Sequence, residues 1–63
     1  MRRTPYQIAI EVDRMLCLSL SHREFEVMAH FIGDSEDPDQ TGKNIILCGE
    51  KAAWYIIETE PKK

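Results

Sequence analysis

Near the amino terminus, Ile8, Val12, Met15 and Leu16 recur at i, i+4, i+7 and i+8, with Gln7, Glu11 and Arg14 as a polar stripe. That spacing marks one apolar face of a helix. Thr4-Pro5-Tyr6-Gln7 supplies its start: a capping threonine, a glutamine three residues on, and a proline at the first helical position, where its missing N–H costs nothing. The pattern predicts a helix over roughly residues 5–18. A strand competes for the same residues, because Tyr6, Ile8, Ile10 and Val12 also alternate with Gln7, Ala9 and Glu11; the cap chemistry favours the helix. Ser21-His22-Arg23-Glu24 is a second capping box, and Phe25, Met28, Ala29 and Ile32 then mark one face of a helix over roughly residues 22–32, with Gly33 as its stop.

Residues 34–44, rich in short polar side chains and containing Pro38 and Gly42, read as a loop. Beyond it, Asn44 to Cys48 and Lys51 to Thr59 flank Gly49-Glu50, a glycine-first pair suited to a type II′ turn. The expected fold is therefore α+β, two amino-terminal helices packed on a carboxy-terminal antiparallel β-hairpin, with ββαββ as the alternative if residues 6–12 and 15–20 are strands. In the hairpin register, one face carries Ile45, Leu47, Ala52, Trp54 and Ile56, and the other Ile46, Cys48, Ala53, Tyr55 and Ile57. Both faces are apolar, so something other than water should cover the second. The first helix has a similar surplus in Tyr6, Ile10, Cys17 and Leu20.

A chain of 63 residues, 43% apolar and 30% charged, makes a single small domain over 1–63 with little core to spare. Self-association is one way to hide the surplus, through Ile46, Tyr55 and Ile57 or through Tyr6, Ile10 and Cys17, and a homodimer or larger oligomer is expected. No apolar run approaches the ~20 residues of a membrane span, and Met1-Arg2-Arg3 leads into Thr4-Pro5 and not into a signal-peptide core. That opening suggests a complete small reading frame. Two cysteines are few for a secreted domain of this size, which points to reduced, packed thiols and a cytoplasmic location.

The net charge of −3 arises wholly after residue 33, and four acids, Asp34, Glu36, Asp37 and Asp39, fall within six residues. No basic stripe of the kind that neutralises phosphates is visible. Asp37, Asp39 and Thr41, with Gly42, imitate the first half of an EF-hand loop, but position 12 is Cys48 where a bidentate glutamate is needed. Cys17, His22, His30 and Cys48 lack the close ligand pairs of zinc sites. No metal or other cofactor is expected. There is no phosphate loop, no nucleophile in a recognisable context and little room for a pocket, so the chain reads as no enzyme.

The segment Leu18-Ser19-Leu20-Ser21-His22-Arg23-Glu24-Phe25-Glu26-Val27-Met28 resembles the opening of the winged-helix effector domains of response regulators, where Leu-Ser/Thr precedes a Glu-Phe-x-Val/Leu helix. A basic recognition helix should follow, whereas this chain enters an acidic segment. The sequence therefore predicts a small regulator or inhibitor that binds a larger protein. Its expected contact residues are Asp34, Glu36, Asp37 and Asp39 together with Tyr6, Ile10, Ile46, Tyr55 and Ile57. A winged-helix-like nucleic-acid-binding accessory using the amino-terminal arginines is the alternative. In a third reading the acidic segment mimics nucleic acid in a partner's basic groove.

Overall fold

The computed structural model describes residues 3–59. Among these residues four helices follow one another: α1 (Pro5–Leu16), α2 (His22–Asp34), α3 (Pro38–Cys48) and α4 (Glu50–Thr59). The two amino-terminal helices form where their caps place them. The Thr4 hydroxyl accepts the Gln7 N–H at 3.2 Å while the Gln7 side chain accepts the Thr4 N–H at 2.9 Å, and Ser21 and Glu24 repeat the exchange at the same distances. Each reciprocal pair satisfies two of the donors that a helix start otherwise leaves without partners.

α1 ends at Leu16 because Cys17 turns into the left-handed region at φ 55°, and its N–H bonds back to the Asp13 carbonyl. Asp13 organises the whole turn: its carbonyl also accepts from Leu18 at 3.1 Å, and its side chain accepts from Ser19 at 2.9 Å. Leu18 is thereby tucked into the core. Gly33 does not stop α2, which runs on to Asp34. Its missing side chain instead admits α1, since a Cβ there would lie 3.1 Å from the Pro5 ring.

The second half overturns the α+β expectation and its ββαββ alternative. Among the described residues there is no strand, and the residues assigned to a hairpin form α3 and α4. The segment assigned to a loop is helical from Pro38 onward. Asp37 caps α3, its carboxylate accepting the Gln40 N–H at 3.2 Å, and Pro38 takes the first helical position. Gly49 is a breaker between helices and not a hairpin corner. At φ 99° its N–H closes α3 on the Ile45 carbonyl at 2.9 Å, and its own carbonyl opens α4 by accepting from Ala52 and Ala53. A continuous apolar run satisfies either element, so packing decides.

The core takes Ile8, Ala9 and Val12 from α1, Leu18 from the turn, Met28, Ala29 and Ile32 from α2, Ile45 from α3 and Ala53 from α4. α1 rests on α2 and α3, and α4 lies against α2 and α3. The close approach of α1 and α3 depends on Gly42, which is buried, and a Cβ at this position would come within 2.3 Å of Ile8 Cγ2. The apolar stripe expected on α1 is only partly buried: Ile8 and Val12 are in the core, whereas Met15 is 62% exposed. Both cysteines, expected to pack, are exposed and free.

Candidate interaction surface

The four acids singled out in the sequence do not act as one patch. Glu36, Asp37 and Asp39 line a cleft of about 270 Å³ with Arg3 and Pro38, while Asp34 lies in a different cleft. Arg3 spans α1 and α3. Its guanidinium donates to Asp39 at 2.9 and 3.1 Å and also pairs with Glu11. The hydrogen bond to Glu11 and then that to Asp39 push the Arg3 pKa above its already high ordinary value. These contacts give two of the four acids a part in folding. Asp37 is a helix cap, and Asp39 sits in the first turn of α3, where a negative charge meets the positive end of the helix dipole.

The EF-hand resemblance dissolves for the same reason. Asp37, Asp39 and Thr41 open a helix and do not converge on a centre, and Gly42 faces Ile8. Cys17, His22, His30 and Cys48 are not gathered either: among the described residues no group of three or more metal-ligating side chains could hold an ion. His22 and His30 each face a carboxylate one turn on along α2, Glu26 at 3.2 Å and Asp34 at 3.4 Å.

A second cleft, about 260 Å³, runs between the start of α1 and the end of α2 and is lined by Pro5, Tyr6, Ala29, His30, Gly33 and Asp34. The Tyr6 ring leans on Phe25 with centroids 5.6 Å apart and is still 51% exposed. Ile10, one turn further along α1, is 46% exposed. This pair was legible from the sequence as the surplus arc of α1. Ile46, Tyr55 and Ile57, one face of the expected hairpin, are separated by the helices, with Ile46 on α3 and the other two on α4. Ile46 and Ile57 are half-buried against the core, and Tyr55 points away at 68% exposure.

Among the described residues the most exposed large apolar side chain is Leu47, at 82%. A β reading places it inside the hairpin; helical phase places it about 200° from the buried Ile45, on the outer side of α3. α4 buries only Ala53 completely, leaving Trp54, Ile56 and Ile57 partly exposed along its flanks.

Among the described residues there is no strand to form the wing of a winged helix, and α3, the helix that follows α2, opens on the acids Asp37 and Asp39 where a basic recognition helix is expected. Of the amino-terminal arginines invoked for nucleic acid, Arg2 lies outside the described residues and Arg3 is engaged with Glu11 and Asp39. Among the described residues no helix is long and apolar enough to cross a membrane. No known protein family, curated protein or solved structure matches this chain.

Proposed function

We propose that this chain is a non-enzymatic interaction module, a small cytoplasmic regulator or inhibitor that binds a larger protein and also associates with itself. The observation that carries the reading is the apolar surface left over after folding. Tyr6, Ile10, Met15, Leu47 and Tyr55 are each 46–82% exposed, and a fourth helix is anchored by one fully buried alanine. Single exposed apolar side chains are ordinary, but Tyr6 and Ile10 adjoin one another, and Tyr55 shares α4 with a partly exposed tryptophan. Tyrosine and tryptophan are also the side chains most enriched at binding hot spots.

The clefts favour binding over catalysis. Their ionisable groups are solvent-facing, and the contacts of His30 and Asp39 are made with other residues of this chain. A protein partner is favoured over nucleic acid by the outward residues of α4: Glu50 and Glu58 outnumber Lys51. Two exposed thiols suit a reducing compartment, which supports the cytoplasmic assignment. The test combines affinity capture from the source cells with sedimentation equilibrium, comparing the wild type with the Tyr6→Ala/Ile10→Ala and Tyr55→Ala variants. A partner held by the wild type and released by one of the variants supports the reading. A wild-type chain that holds no partner and stays monomeric up to about a millimolar, the weak end of specific association, overturns it.

A further inference from the structure

On α4, Lys51, Tyr55 and Glu58 follow one another at i, i+4 and i+7, and all three are exposed, on the side away from the buried Ala53. The order of charges along this stripe carries directional information. Lys51 lies before the aromatic residues and Glu58 after them, and the midpoint between the two falls between Trp54 and Tyr55. A second copy laid parallel on the stripe would oppose lysine to lysine and glutamate to glutamate. Laid antiparallel about a two-fold axis at that midpoint, it opposes each Lys51 to the other copy's Glu58. Neither residue has an ion-pair partner among the described residues. Aromatic side chains at the centre and charges at the ends match the usual arrangement of a desolvated interface core and polar rim.

We infer that α4 is the self-docking element of this protein, receiving a second copy of the chain antiparallel along Lys51, Tyr55 and Glu58, with Tyr55 at the two-fold axis and two reciprocal Lys51–Glu58 pairs. The inference rests on the self-association proposed above and specifies where and in which orientation it occurs. A two-fold contact needs a self-complementary patch, and this stripe is one by charge. The ten residues of α4 span only about 15 Å, so the contact falls short of the ~800 Å² per partner of a stable interface and belongs to the weak, salt-sensitive class.

The test is sedimentation equilibrium on the whole chain and on Lys51→Glu, Glu58→Lys, the double charge reversal and Tyr55→Ala, each checked for wild-type helicity by circular dichroism. Each single reversal turns two attractions into two repulsions and should weaken dimerisation about tenfold, as should Tyr55→Ala; the double reversal should return it to within about threefold of wild type. A dimer indifferent to every variant overturns the α4 assignment while leaving self-association standing. Single variants that weaken the dimer without rescue by the double reversal overturn the antiparallel geometry. A wild-type chain monomeric up to about a millimolar removes self-association itself, and this inference with it. A measurement free of substitutions is carbodiimide coupling in a mixture of ¹⁴N and ¹⁵N protein. Mixed-isotope Lys51–Glu58 peptides are expected, and their absence from a sample that sediments as a dimer also overturns the inference.

Discussion

Gly42→Ala adds one methyl group where α3 packs on α1. Its Cβ would come within 2.3 Å of Ile8 Cγ2 and 3.9 Å of Val12 Cγ2. Carbon atoms in contact sit about 3.5–4.0 Å apart, so α1 and α3 must separate by roughly an ångström or Ile8 must leave its rotamer. Ile8 is 1% exposed and Val12 is fully buried, which leaves neither side chain an easy way out. Overpacking of this kind costs about 1–3 kcal/mol, and the clash lies at the upper end. Against it stands the better helix propensity of alanine, worth about 1 kcal/mol in the middle of α3. The net expectation is a loss of about 1–2 kcal/mol, which lowers the melting temperature of so small a domain by roughly 5–15 °C. Thermal unfolding followed by circular dichroism reads this directly. Ile8→Leu removes the offending Cγ2 at nearly constant volume, so in that background Gly42→Ala should cost less, and a double-mutant cycle should show coupling of at least about 0.5 kcal/mol. A Gly42→Ala protein that melts at or above the wild-type temperature would refute the account of how α1 and α3 meet.

The other expectations concern the cap, the fourth helix and the first turn. Asp37→Ala should lower stability by about 1 kcal/mol through loss of the α3 cap, and Asp37→Asn, which keeps an acceptor, should cost much less; equal urea midpoints for the two would count against the cap. Trp54→Ala should cost about 2–3 kcal/mol, below the ~3–5 of a fully buried aromatic because Trp54 is only partly enclosed, whereas Tyr55→Ala should stay within about 0.5 of wild type. A reversed order in thermal melts would mean that α4 is rotated about its axis. Cys17→Gly should raise stability by about 0.5–1 kcal/mol, since a left-handed non-glycine residue costs about 1–2 and this side chain is exposed. A drop in melting temperature would show that the contact the Cys17 thiol donates to the Arg14 carbonyl, at 3.8 Å, outweighs the backbone strain.

Cap chemistry is local, and where it stood beside a clear period the chain could be read directly. Thr4 with Gln7 and Ser21 with Glu24 start α1 and α2 through side-chain to backbone bonds spanning three residues, and nothing distant is needed to make them. The same signal was present at Asp37-Pro38-Asp39-Gln40, a cap, a proline and a glutamine in the spacing of Thr4-Pro5-Tyr6-Gln7, but charge density and Gly42 gave the segment the composition of a turn. Of the interaction residues, Tyr6 and Ile10 were visible as the side of α1 that a core need not cover, and they are exposed.

Tertiary structure decided the rest. From Ile45 to Ile57 the apolar residues fall on every side of either a helix or a strand, so local pattern does not choose between them. A strand there would need a partner for its backbone bonds and a cover for two apolar faces. As helices, α3 and α4 satisfy their own backbones and need only one buried side each, which α1 and α2 supply. Gly42 lets α3 approach Ile8, and Gly49 lets α4 fold back onto α2 and α3. Once those approaches are made, Leu47 and Tyr55 are left outside and Ile46 and Ile57 partly inside. That sorting follows from which helix faces meet at a distance in the chain, and contacts of that range are not encoded in any short stretch of residues.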